Sequence, residues 1–254
     1  MSRRSSFLFC ELLLATGLTL VASSMANPIP APPLTYIAAE KLEVVAGVDA
    51  AEIKGVFQFR SDASKGSVSD MGIEIPVWIP AKGQHGDATV RRFLNAYPSE
   101  GYYKFESVDR TVWDAAIGLR FRVGKKDVPL SWFRIFQPKV DSPWYRKGWS
   151  CVVVMVYVPA DLLAARIFRG VPDCTITYRQ PLLKGSGSSE FFYVPMFDHL
   201  PEGASTVSVK RYAAHLKNGA GSVLRFGSTS LGSGESLLLP LVHRQPIVFH
   251  VSRN

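Results

Sequence analysis

Period-two alternation of apolar and polar side chains constrains this chain most, because it fits a half-buried strand and does not fit a helix. Ala51, Ile53, Gly55, Phe57 and Phe59 alternate with Glu52, Lys54, Gln58 and Arg60, which describes a strand with one wet face. Leu42-Glu43-Val44 precedes it, and Ala46-Gly47-Val48-Asp49 can turn the chain, so the two segments are expected to form a β-hairpin. Ile73, Ile75, Val77 and Ile79 alternate with Glu74, Pro76, Trp78 and Pro80. Proline withholds a ladder donor, which places this strand at an edge or gives it a bulge. Ile117, Leu119, Phe121 and Val123 alternate with Arg120 and Arg122, and Gly124-Lys125-Lys126-Asp127 turns the chain after them. Residues 151–158 are apolar throughout and Val-rich, as in a strand buried on both faces. Further strands are expected near 131–137, 172–179, 190–197, 205–214, 222–227, 236–242 and 246–252.

Two helices interrupt the pattern. Asp87 can cap a helix in which Val90, Phe93, Leu94 and Tyr97 share one face, and Pro98 follows its end. Asp161 to Arg169 carries Leu162, Leu163, Ile167 and Phe168, with Gly170 able to close it. The expected fold is therefore all-β: an antiparallel β-sandwich, one large or two stacked, with two short helices. Residues 35–254 would form it, as one unit or as two sub-domains divided near 138–148. The stretches 184–189 and 232–234, rich in Gly and Ser, read as loops.

The N-terminus reads as a secretory signal over residues 1–26. Arg3 and Arg4 form a positive start, Leu12 to Ala22 an apolar run, and Ser24-Met25-Ala26 a small-residue cleavage site before Asn27. The run is shorter than the roughly 20 apolar residues a membrane span needs. An uncleaved anchor, a lipid attached at Cys10 and a twin-arginine signal are alternatives with less support. Residues 27–34 then form a Pro-rich spacer. Cleavage would remove Arg3, Arg4 and Glu11 and lower the net charge from +8 to +7. The expected location is secreted or periplasmic, with no membrane span in the mature chain.

Export bears on the cysteines. Only Cys151 and Cys174 follow the signal, and an even pair in an oxidising compartment points to a disulfide. The alternative is a pair of buried thiols behaving as small hydrophobes.

The motifs of common chemistries are missing. There is no Gly-x-Ser-x-Gly elbow, no P-loop and no His-Glu-x-x-His, and the five histidines show no ligand spacing. No metal and no cofactor is expected. Asp198-His199 reads as a turn pair, and Glu100, Glu106, Asp109 and Asp114 as ordinary surface acids.

The richest chemical feature is aromatic and basic. Trp132, Phe133, Arg134, Phe136, Lys139, Trp144, Tyr145, Arg146, Lys147 and Trp149 crowd one stretch, which holds three of the five tryptophans. Aromatic faces stack on sugar rings, and cations bind anionic groups. A weaker patch joins Arg91-Arg92 with Tyr97, Tyr102, Tyr103 and Lys104. Arg134, Trp144, Tyr145, Arg146, Lys147 and Trp149 are the candidate ligand-binding residues. They suit an exported, non-enzymatic binding or structural module that contacts an anionic polysaccharide or an envelope protein. The alternative is an exported hydrolase acting on carbohydrate, with catalytic residues gathered from separate loops. Nucleic acid is a poor fit, since no recognition motif and no long basic run is present.

Overall fold

A computed structural model of the chain describes residues 29–31, 35–47, 49–61, 71–84, 87–98, 101–141, 145–162, 174–185, 188–193, 213–218, 222–240 and 247–253. The expected signal, Trp144, Asp198-His199 and most of the second expected helix lie outside them. The described residues are mostly strands in three sheets, with short helices, which is the all-β sandwich-like architecture the alternation implies.

The first sheet has the order β1-β4-β9-β8-β5, from Ile29–Ala31 (β1), Met71–Pro80 (β4), Trp149–Val158 (β9), Leu130–Phe136 (β8) and Tyr102–Lys104 (β5). The second has the order β16-β13-β2-β3-β10-β6-β7. Its members are Ser236–Pro240 (β16), Ala213–Asn218 (β13), Thr35–Ala46 (β2), Ala50–Ser61 (β3), Cys174–Pro181 (β10), Arg120–Val123 (β6) and Lys126–Val128 (β7). The third runs β11-β12-β17-β14-β15, from Leu183–Lys184, Ser189–Tyr193, Ile247–Arg253, Ser222–Phe226 and Thr229–Leu231 respectively. Neighbours are antiparallel except β13 and β2, which run parallel.

The expected hairpin is β2–β3, with Leu42 facing Gly55 and Val44 facing Ile53. Gly55 has a packing reason: the Phe57 ring lies over it, so that a Cβ there would stand 2.4 Å from the ring edge. β4 lies between β1 and β9 and not at the edge, but among the described residues its prolines have a strand on one side only. β1 pairs only with Gly72–Glu74, so Pro76 and Pro80 lie beyond its reach while β9 runs along the other side. There the buried Gln180 side chain of β10 donates to the Trp78 carbonyl and ties β4 to the second sheet. Ile29–Ala31, inside the stretch read as a spacer, is hydrogen-bonded into the sheet as β1. β8 and β9, on either side of 138–148, pair directly from Leu130 with Val156 to Phe136 with Cys151.

The helix at Ala88–Ala96 (α1) forms as expected, capped by Asp87, with Val90, Phe93 and Leu94 buried. A second helix at Arg110–Ala116 (α2) is not marked by the strand alternation that continues through Ile117 and Leu119; Asp109 caps it and Trp113 anchors it. Both pack on one face of the first sheet. Phe133 of β8 meets Phe93 at 5.7 Å and Trp113 at 5.1 Å between ring centroids, and the 3₁₀ turn at Phe105–Ser107 adds Phe105 at 5.5 Å. Each such aromatic pair adds roughly 0.5–1.5 kcal/mol beyond its area. One core joins the three sheets, from Leu42, Ile53 and Phe121 through Ile73 and Val154 to Phe191 and Phe249.

The expected disulfide is not formed. Cys151 lies on β9 in the first sheet, between Trp78 and Phe136. Cys174 lies on β10 in the second, between Phe57 and Val123. The two strands belong to different sheets, and both side chains are buried thiols.

Candidate functional site

Alternation along β8 decides which of its residues can meet a ligand. Phe133 and Ile135 point into the helix-covered face and are fully buried. Trp132, Arg134 and Phe136 point to the opposite face and stay partly exposed. On β5 the same parity turns Tyr102 outward beside Arg134 in the register, and Tyr102 is 68% exposed.

Four side chains therefore form a strip. The Arg134 guanidinium carbon lies 5.9 Å from the Tyr102 ring centroid and 5.2 Å from that of Phe136. Tyr102 meets Trp132 edge-on at 5.2 Å. The Arg134 Nη1 donates to the Tyr102 hydroxyl at 3.4 Å, while its Nε is enclosed and makes no hydrogen bond. A guanidinium over aromatic faces is weakly hydrated and keeps donors for a carboxylate.

Across β9 on this face stands Glu74, opposite Met155. Burial pushes its carboxyl pKa up, and the charge of Arg134 pulls it partly back. Glu74 is the one acid in β4, β5, β8 and β9. The same face is closed over Trp78, Cys151 and Val153 and opens toward Met155 and Tyr157, which is 55% exposed.

The loop residues picked from the sequence separate. Trp149 is a correction: it begins β9 opposite Pro80, is 3% exposed, and belongs to the core. The compact aromatic run hid the point where the loop ends and a buried strand starts. Tyr145 and Arg146 are partly exposed and Lys147 is exposed, with Arg146 Nη1 donating to the Tyr145 carbonyl at 2.8 Å. They lie at the end of the sheet where β8 finishes and β9 starts, the end that carries Phe136. Tyr102, absent from the candidate set, joins the strip through β5. Its signal was the weaker patch around Tyr102 and Lys104.

Two of the four acids read as surface residues, Asp109 and Asp114, have structural partners. Asp109 accepts from the Thr111 and Val112 amides, and Asp114 pairs with Arg120 at 2.9 Å. Among the described residues no three His, Cys, Asp or Glu side chains converge as metal ligands would. No protein-family model matches the chain, and no curated protein matches it in sequence.

Proposed function

We propose that this is an exported, non-enzymatic binding module of the cell envelope that holds an anionic glycan on the strip of Tyr102, Trp132, Arg134 and Phe136. Sugar rings would stack on Tyr102 and Trp132, and a uronic carboxylate would take the outer donors of Arg134. Arg146 and Lys147 would extend the positive field beyond Phe136. The observation that carries the reading is the Arg134 guanidinium held over two aromatic rings on the partly exposed side of β8. Export rests on the signal pattern of residues 1–26 alone. The hydrolase alternative needs two carboxylates flanking a bond, and Glu74 stands alone on these strands.

The test is calorimetric titration with tetragalacturonate, with neutral maltotetraose as control. Saturable binding of the acidic sugar, weakened about tenfold by Arg134→Ala and by Tyr102→Ala and reduced by salt, is expected. Equal binding by both folded variants, or none by the wild type, would overturn the assignment. Reducing-end release from the oligomer would move the reading to the hydrolase.

A further inference from the structure

Beyond Trp132 the partly exposed face of the first sheet continues along β9. The alternation that brings Met155 to this face brings Tyr157 to it as well, and Tyr157 is 55% exposed. Its register partner is Gly72 of β4. The ring leans over that glycine: a Cβ on Gly72 would stand 3.5 Å from Tyr157 Cε1 and 3.4 Å from Met155 Sδ. A ring laid against a position without a side chain keeps its other surface for a ligand. The neighbouring register row carries Glu74, Met155, Trp132 and Lys104 across β4, β9, β8 and β5. Tyr157 is therefore a diagonal neighbour of both Trp132 and Glu74, at the roughly 7–8 Å that aromatic and long side chains can bridge. Val153, the register partner of Arg134, precedes Tyr157 on β9 by about 13 Å of strand. Charge divides this face: the cations Lys104 and Arg134 stand on β5 and β8, and the acid Glu74 stands on β4.

We infer that Tyr157 forms a second sugar-stacking subsite, and that the glycan is a mixed chain with a uronate at Arg134 and an uncharged sugar on Tyr157. The inference rests on the glycan reading of the strip and extends it. Glu74 selects the uncharged unit. Its carboxylate repels a second uronate at that end and accepts a hydrogen bond from a sugar hydroxyl. A polyuronate would set like charges side by side there, whereas a chain of uronate and neutral units meets a cation at one end and an acceptor at the other.

The experiment is calorimetric titration of the purified protein at pH 7 with two acidic hexasaccharides. In the hyaluronan hexasaccharide uronate and N-acetylhexosamine alternate, and in hexagalacturonate every unit is a uronate. The hyaluronan oligomer is expected to bind at least about tenfold more tightly. Tyr157→Ala should weaken it about tenfold, while Tyr157→Phe keeps the ring and most of the affinity. Glu74→Gln should narrow the gap between the two ligands by strengthening hexagalacturonate. Tyr157 is exposed, so its two variants decide the matter even if Glu74→Gln perturbs the sheet. Equal affinity of the two hexasaccharides, or hyaluronan binding unchanged in Tyr157→Ala, would overturn this inference alone if tetragalacturonate still binds in an Arg134-dependent way. Absence of that binding would overturn the glycan reading and this inference with it.

Discussion

The Asp87 carboxylate caps α1 and grips Arg179 of β10 at the same time. It accepts from the Thr89 amide at 2.9 Å and meets the Arg179 guanidinium, the two side chains being 13% and 20% exposed. Arg179 reaches on to the Thr89 hydroxyl at 3.4 Å and the Ala116 carbonyl at 3.5 Å, so one ion pair fastens both helices to the second sheet. Burial alone would raise the Asp87 pKa. The Thr89 amide, the Arg179 guanidinium and the Thr89 hydroxyl outweigh it and hold the carboxyl below its ordinary value.

Asp87→Ala should therefore lower unfolding stability at pH 7 by about 3 kcal/mol, from a lost cap and a broken partly buried pair. A depressed carboxyl stabilises the fold above its unfolded pKa, about 3.9, and loses that contribution as pH falls through the folded value. The gap between variant and wild type should hence narrow below about pH 4. Asp87→Asn keeps an acceptor for Thr89 and isolates the charge. Urea denaturation at pH 7 and pH 3 measures both, and an equal cost at the two pH values would assign the effect to packing instead.

Glu74 has the opposite sign. Its carboxyl is raised by burial, so the folded chain holds that proton more tightly than the unfolded chain. The favourable contribution is complete below the unfolded pKa and disappears as pH rises through the folded one. Near neutral pH the ionised group is a cost, offset in part by Arg134. Glu74→Gln should raise stability at pH 7 by less than about 1 kcal/mol, given its solvent screening, and change nothing near pH 3. Arg134→Ala should move the Glu74 titration further upward in a carbon-detected NMR titration. A downward move would refute the through-space pairing of the two.

Trp149 and Lys147 separate what the aromatic-basic stretch conflates. Trp149 is buried at the start of β9, and Lys147 is exposed two residues earlier. Trp149→Ala should cost about 3–5 kcal/mol, while Lys147→Ala should stay within about 0.5 kcal/mol. If Trp149→Ala leaves the melting transition in place, the tryptophan belongs to the surface after all.

Such cases show what alternation can and cannot reveal. Alternation located β3 because one-face burial stamps a period of two on Ala51–Phe57, while β4 alternates in residue type although both its faces are buried from Ile75 to Pro80, and β9 showed as the continuous apolar run of residues 151–158. The helix α1 was legible by other marks, since Asp87, Phe93 and Pro98 give a start, a face and a stop. Alternation missed α2, since Trp113 and Ala116 run without a break into the alternating Ile117 and Leu119. The cysteines were expected to pair because only two follow the signal, whereas β9 and β10 enter different sheets. Three of the four residues of the strip, Trp132, Arg134 and Phe136, stand in the aromatic-basic stretch of the sequence, but of these only Arg134 was a candidate ligand-binding residue. Tyr102 was not attached to them, because the β5–β8 pairing that brings it beside Arg134 links residues about thirty positions apart and leaves no local mark.

The cysteine arrangement gives the last test. Cys151 is buried, and desolvation raises its thiol pKa well above the ordinary value; Glu74 adds to this and Arg134 opposes it. Such a thiol stays protonated at neutral pH and gives little nucleophilic thiolate. The native protein, purified without reductant, should resist a maleimide at pH 7 at both Cys151 and Cys174. After denaturation in the same buffer, both should be modified, as read by mass spectrometry of the peptides that contain them. Peptides that stay unmodified and linked until a reductant is added would restore the disulfide and would require β9 and β10 to approach each other at those positions. Modification of the native protein at Cys151 would instead mean that the face of the sheet it shares with Trp78 and Val153 opens in solution.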